Sequence, residues 1–365
     1  MKYFNYLREE DMSRLFYKAP IELDSSTDIE ILRYALGAFL YIPATQLEMI
    51  IKALSGRYRD VKPLAICLED AIGETGEEQA IENVKIILNR LSTRCQETSE
   101  NEIINKSRFP VVFLRIRDLE QLNLMKDAIR KNSAVISGIL IPKASSEKIE
   151  EFIKTLDSWG LTKMYVMPII ESKEFIYREI KNTAFSELYN TLLKYRDRVL
   201  GVRVGLVDIL GAFGIRRNEK FTIYENNICS SFIGDITTLL NRPELGLPVS
   251  GGVSEVFDMK DEALRMNYIK EIELDKYHGL VGKTVIHPNQ VQFVQAMYSV
   301  KYEDYLDAVE ILKNQGGDYG VSKSTSGQKM NEMSPLMRWA EKTIKLGKIY
   351  GVLNEGVSNE ELFEL

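Results

Sequence analysis

Glu69, Asp70, Glu171 and Asp208 each stand where an apolar run stops, in the segments CLEDAI (67–72), MPIIES (167–172) and VGLVDIL (204–210). An apolar run that breaks at a carboxylate is the pattern of a buried strand delivering a charged side chain to its end. In a parallel α/β barrel all strands end on one face, so carboxylates far apart in sequence converge there. Converging oxygens suit Mg²⁺, which takes one or two carboxylates and completes its octahedron with water and substrate oxygens. Glu171 and Asp208 are the candidate ligands. The alternative for either is a helix N-cap or first-turn acid, stabilised by the helix dipole. Glu69 and Asp70 would point to opposite faces of an extended strand, but at a strand-to-loop break both can reach the mouth, one to order water at the metal. Otherwise Asp70 caps a helix and Glu69 pairs with a base inside the barrel.

Basic residues stand at neighbouring strand ends. Arg115 and Arg117 in VVFLRIRDLE share a face if the strand continues. A guanidinium at the mouth would hold a carboxylate or enolate oxygen bidentately. Arg115, nearer the apolar run, is the candidate, and Arg117 reads as solvated or paired. Lys143 in GILIPKA ends another apolar run. It is either a substrate-facing or salt-bridged cation, or a Schiff-base lysine, which needs a depressed pKa. His287 precedes a proline and reads as a hydrogen-bonded turn residue, while Gly282 and Lys283 suggest a tight turn with a cation at its edge for an anionic ligand. The GGV at 251–253 lacks the strand–GxGxxG–helix context of a dinucleotide site.

A scaffold that brings these side chains together must supply about eight strands. Eight candidates occur, at 35–42, 61–68, 110–116, 137–141, 163–170, 199–206, 247–253 and 280–286. Amphipathic stretches at 77–91, 119–132, 146–159 and 259–276 repeat apolar residues at three- and four-residue spacing, as an outer helical layer requires. The fold class expected is a (β/α)8 TIM barrel over 35–300. An N-terminal extension (1–34) is polar and helical, a cover or interface element. A C-terminal helical segment (301–365) has helices at 302–315 and 335–352 around a flexible polar connection at 316–329, and is expected to pack on this barrel or a neighbour's.

The 365 residues are 45% hydrophobic, enough for a large core, and carry a net charge of −6 without basic clusters, which argues against nucleic acid as a partner. The first twenty residues lack a signal-peptide core and no run approaches the eighteen apolar residues of a membrane span, so a cytoplasmic protein with no membrane association is expected. Three cysteines (67, 95 and 229) and two histidines are too few for a disulfide framework or an imidazole-rich metal site.

In this order the segments resemble the HpcH/HpaI aldolase and citrate lyase β-subunit-like family. LGAFLYIPA resembles its first strand and turn, AICLEDAI its Leu-Glu-Asp-Ala-Val element, FLRIR its Val-Arg-Ile-Asn strand and ILIPK its Leu-Pro-Lys. PIIES, GLVDIL and GLVGKTVIHPNQV resemble the Ile-Glu-Thr, Gly-Ala-Glu-Asp-Leu and Gly-Lys-x-x-Ile-His-Pro-x-Gln motifs, and GQKMNEMSPLMRWAEKTI resembles the terminal Gly-Lys-Met-Val-Asp element. The resemblance spans roughly residues 35 to 350. It implies Mg²⁺ on Glu171 and Asp208, a 2-oxo or 3-hydroxy acid on Arg115, and an enolate stabilised during reversible C–C cleavage. It also implies a trimer or hexamer whose C-terminal segment reaches the adjacent subunit's site, where Glu332 occupies the approximate position of a base acting on CoA thioesters. That glutamate could equally cap the last helix.

Departures from the motifs fall at Cys67, where relatives usually have an additional aspartate, at Val207 in place of a glutamate and at Ala44 in place of a glycine. With the long N-terminal extension they resemble the divergent lyase-like branch of tellurium-resistance gene clusters. The leading expectation is an Mg²⁺-dependent carbon–carbon lyase for a small carboxylated substrate, free or as a CoA thioester, with Glu69, Asp70, Arg115 and Glu332 catalytic and Arg115 and Lys143 binding substrate. The rivals are a CoA-thioester hydrolase or malate-synthase-like condensing enzyme, and a barrel that serves as a non-catalytic scaffold.

Overall fold

All eight apolar segments form strands in the computed structural model. It describes residues 1–24, 27–73, 75–101, 111–314 and 320–364, without the side chains of 95–101. The strands are β1 (Ala38–Pro43), β2 (Pro63–Cys67), β3 (Val111–Arg115), β4 (Gly138–Ile141), β5 (Tyr165–Ile170), β6 (Val202–Val204), β7 (Val249–Ser250) and β8 (Lys283–Val285). Each pairs in parallel with its sequence neighbour, and β1 also pairs with β8. Closure between β7 and β8 comes from Gly251, whose N–H donates to Gly282 O at 2.9 Å and whose carbonyl accepts from Thr284 N at 3.0 Å. The first residue of the expected 110–116 strand lies outside the described residues.

Strand alternation sorts the side chains. Leu40, Ile42, Leu64, Ile66, Leu114 and Ile139 face outward to the helices, while Phe39, Ala65, Phe113, Leu140, Met167 and Ile169 fill the barrel interior. Both faces are therefore apolar, as a helix-covered parallel sheet requires. Each such large side chain contributes about 1.5–3 kcal/mol by leaving water. Phe39 and Phe113 meet edge-on at 5.2 Å, and Phe113 fits only because residue 138 is glycine: a Cβ there would lie 2.7 Å from its ring. This packed floor confines chemistry to the C-terminal ends of the strands.

Helices follow their strands with side-chain caps at several starts. Asp118 accepts from Gln121 N at 2.8 Å, Ser145 from Lys148 N at 3.2 Å and Asp261 from Leu264 N at 3.0 Å. Each satisfies a backbone donor that helix geometry leaves unpaired. The helix expected over 119–132 is divided. Met125, fully buried, adopts φ −93°, ψ −2°, the bridge conformation, and separates Leu119–Leu124 from Lys126–Lys131.

The flanking segments close the opposite, N-terminal face of the barrel. Met1, Tyr3 and Phe4 are buried, and Phe16–Lys18 pairs antiparallel with Val352–Leu353. Tyr350, at the end of helix Met333–Tyr350, accepts from Gly37 N and donates to Tyr34 O, both at 2.9 Å. The chain's C-terminal helix thus packs on its own barrel. Within the polar connection expected to be flexible, Val321–Lys323 forms a strand that pairs antiparallel with Met330–Glu332 just beyond it. The turn between them is pinned by Asp307, which accepts from Thr325 N and Oγ1 at 2.7 Å each. Residues 315–319 lie outside the described set. No described helix is long and apolar enough to cross a membrane.

Candidate active site

Strand ends β2 to β6 bring the predicted residues together. Arg115, the last residue of β3, is 8% exposed and points into the mouth. Its Nη2 lies 2.7 Å from Glu69 Oε2, 3.2 Å from Asp70 Oδ2 and 3.4 Å from Glu171 Oε1. Lys143, just beyond β4, is the second cation: its Nζ lies 2.6 Å from Glu69 Oε1 and 3.0 Å from Asp70 Oδ1. Its backbone takes φ +47°, an uncommon conformation for a side chain of this size, and this turns its N–H onto Glu171 Oε1 at 2.8 Å. Glu69 and Asp70 therefore both reach the mouth, and neither caps a helix.

Asp208 takes the alternative placement, that of a first-turn acid, rather than a strand end. β6 ends at Val204, and Asp208 sits in the first turn of the short helix Leu206–Gly211. A residue that motif reading passed over sets its distance from Glu171. A Cβ on Gly205 would lie 1.9 Å from Glu171 Oε2, so only glycine lets that carboxylate pack against the start of the Asp208 helix. The signal in the sequence was a glycine two residues after an inward strand position and three before the acid.

Charge in this cluster is unbalanced toward the acids. Burial pushes Glu171 up to about 7, with Asp208 and Glu69 adding to the rise against the opposing pull of Arg115. Asp208 is raised by burial and by Asp70. Glu69 is raised by burial and by Asp70, whereas Asp70, despite its own burial, is lowered by Glu69, Lys143 and Arg115. Burial alone would lower Lys143, but Glu69 and Asp70 raise it overall, so it stays an ammonium. Lys143 thus takes the salt-bridged placement of the two alternatives.

Glu171 and Asp208 could share a divalent cation. Asp208 makes no ion pair among the described residues, and its charge adds to the rise in Glu171. No set of three or more His, Cys, Asp or Glu side chains among the described residues is placed to hold a metal unaided. Two hard carboxylates with open positions suit Mg²⁺, which keeps water and substrate oxygens in its shell, and do not suit a closed structural zinc site.

The remaining candidates separate from the cluster. Arg117 is paired with Glu77 and Asp118 at 2.8 and 2.9 Å outside the mouth. Lys283, expected at a ligand-facing edge, is fully buried on the outer side of β8, 3.0 Å from Glu271 and 2.7 Å from Asp275 of helix Glu262–Tyr277. Strand alternation decides this: Thr284 takes the inward position and Lys283 the outward one. His287 caps helix Pro288–Tyr298, its Nδ1 accepting from Asn289 N at 3.1 Å. Cys67 is buried with its Sγ 3.7 Å from Arg115 Nη1, and Val207 is exposed. Glu332 is the residue before helix Met333–Tyr350 and its side chain makes no capping bond. A cavity of about 750 Å³ opens on the N-terminal side, lined mainly by apolar residues such as Leu36, Val112, Ile136, Met164 and Leu200. It contains none of these groups.

A closed parallel barrel whose mouth carries four carboxylates, a guanidinium and an ammonium belongs to the TIM-barrel enzymes that act at their strand C-termini. The chain is a member of the C–C bond lyase family of the TIM-barrel fold, whose model matches residues 30–352. It is a carbon–carbon lyase by that membership. No curated protein sequence matches the chain. Among solved structures it is similar to the CitE protein of Mycobacterium tuberculosis in complex with magnesium, acetoacetate and coenzyme A. The identity is 18% over 86% of this chain and 98% of that one, with a TM-score of 0.58. It is also similar to the citrate lyase β subunit of M. tuberculosis complexed with oxaloacetate and magnesium (18% identity, 73% and 98% coverage, TM-score 0.50). A third match is CitE with magnesium and pyruvate (17%, 73% and 92%, TM-score 0.51). Likeness at these identities establishes the shared fold.

Proposed function

We propose that this protein is an Mg²⁺-dependent lyase that cleaves a carbon–carbon bond in a small 2-oxo or 3-hydroxy acid, free or as a CoA thioester. The observation that carries the reading is Arg115, buried at the mouth and shared by Glu69, Asp70 and Glu171. The magnesium complexes in the three similar structures support it. Glu171 and Asp208 would hold the metal. When bound, Mg²⁺ supplies Lewis-acid stabilisation of negative charge developing on a substrate oxygen. Arg115 donates to the same oxygen or to the substrate carboxylate, and the planar guanidinium fixes its orientation. Glu69 and Asp70 hold Arg115 and Lys143 in place, so donor positions are set before substrate arrives. Cleavage breaks the bond between the α-carbon and the carbinol carbon. The bonding pair becomes the enolate, and the hydroxyl loses its proton as its carbon becomes a carbonyl.

A base must take that proton. We assign it to Glu332 of an adjacent subunit, because in this chain Glu332 is exposed, does not cap its helix, and begins a helix whose far end is fixed on the opposite face. The test is to incubate the metal-loaded protein with a panel of hydroxylated 2-oxo acids and 3-hydroxyacyl-CoA thioesters and to follow release of carbonyl products. Arg115→Lys is expected to lower turnover by about 100-fold or more through loss of bidentate geometry. Product release unaffected by Arg115→Lys, or by omission of Mg²⁺, would contradict the proposal.

A further inference from the structure

Lys148 stands where a helix disfavours a cation. It is the third residue of helix Ser146–Ser158, beside the positive end of the backbone dipole, and Ser145 fixes that turn by accepting from its N–H at 3.2 Å. The side chain is partly buried, with Nζ 6.0 Å from the centre of the Phe152 ring, and makes no ion pair among the described residues. Burial lowers its pKa while Glu69, Asp118 and Glu171 oppose the fall, so it feels the charge of the acid cluster. Its hydrogen bond goes to a carbonyl instead: Nζ donates to Pro142 O at 2.5 Å.

That oxygen is one end of a peptide unit whose other end touches the site. No described peptide bond is cis, so the Pro142 carbonyl and the Lys143 N–H point to opposite sides of one rigid plane. Lys148 holds the oxygen, and the N–H donates to Glu171 Oε1 at 2.8 Å. The following residue ties the loop to β5, Ala144 N donating to Ile169 O at 3.0 Å. A lysine at φ +47°, as at 143, persists only where its surroundings hold it there.

We infer that Lys148 is a positioning residue for Glu171, acting through the peptide between Pro142 and Lys143. This rests on the reading of Glu171 as a metal ligand. An ammonium on the carbonyl oxygen polarises the peptide and makes its N–H a stronger donor. Glu171 Oε1 is thereby held on the Lys143 side, and Oε2 is left facing Gly205, where the Asp208 helix begins. The lysine at the unfavourable end of its helix thus sets the orientation of a carboxylate it does not touch.

Calorimetric titration of Mg²⁺ into metal-free wild type, Lys148→Met, Lys148→Arg and Lys154→Met tests the inference. Lys154 lies on the same helix, exposed and paired with Glu150, and controls for the loss of one positive charge. Lys148→Met is expected to weaken Mg²⁺ binding about tenfold with its melting temperature near the wild type's, Lys148→Arg to restore most of the loss, and Lys154→Met to leave affinity unchanged. A charge acting only at a distance gives the opposite sign, because removing a cation beside acids tightens Mg²⁺. Tighter or unchanged binding in Lys148→Met would overturn the inference, and if Glu171→Gln still abolishes binding the lyase reading survives that outcome. A wild type that binds no Mg²⁺ would remove the metal reading, and hydrogen exchange at the Lys143 amide of the metal-free protein then decides the relay. Exchange faster in Lys148→Met is expected, and an unchanged rate would overturn it.

Discussion

Gly205 and Glu171 are in contact closely enough that one methyl group separates a working carboxylate from a displaced one. A Cβ at 205 would come within 1.9 Å of Glu171 Oε2 and 2.5 Å of its Cβ. Gly205→Ala should therefore cost about 1–3 kcal/mol of stability from overpacking and weaken Mg²⁺ binding, both measurable on one purified variant by thermal melt and titration. An alanine variant with wild-type metal affinity would show that Glu171 is not held there. Ionisation sets a second expectation. With Glu171 up at about 7, protons compete with the metal below that pH, so affinity should climb from pH 6 to pH 8. The four acids and Arg115 were legible in the sequence because each ends an apolar run. Lys283 was misread by one residue of alternation, the interval that separates the interior from the helix layer.

Among the elements, the N-terminal segment is held by a buried acid with an unusual ionisation. Asp60 accepts from Phe4 N at 3.1 Å and lies 3.0 Å from Lys62 Nζ, and its other oxygen is buried without a partner. Burial raises it to about 6 from an ordinary 3.8, against the pull of Lys62. The folded state keeps a proton that the unfolded chain loses, so stability is greatest below about pH 4 on this account and declines until about pH 6, by roughly 2–3 kcal/mol. Asp60→Asn preserves the acceptor and tolerates the φ of +56°, and should flatten that slope in urea midpoints taken from pH 4 to 7. An unchanged slope would assign the ionisation elsewhere. The strands were predictable to within a few residues from apolar runs. The hairpin over 321–332 was not, because its order depends on Asp307 in a preceding helix rather than on local pattern.

At the scale of the whole molecule, the two ends of the chain pack together on the barrel's N-terminal side while the chemistry sits on the other. Tyr350→Phe would orphan Gly37 N and Tyr34 O, and should lower stability by about 1–3 kcal/mol without changing ligand affinity at the mouth. The proposed role of Glu332 requires a second subunit, so sedimentation should find an oligomer, and a monomer would remove that role. The order of motifs along the chain made the barrel and its family readable, but whether copies of the chain assemble depends on surface shape that pattern does not encode. The most direct test of the account is calorimetric titration of Mg²⁺ into metal-free protein, with and without pyruvate or oxaloacetate, for the wild type, Glu171→Gln and Asp208→Asn. The account predicts that the wild type binds the metal, that a 2-oxo acid tightens the binding, and that both substitutions abolish it. Metal binding that survives both substitutions, or a wild type that binds neither metal nor acid, would contradict it.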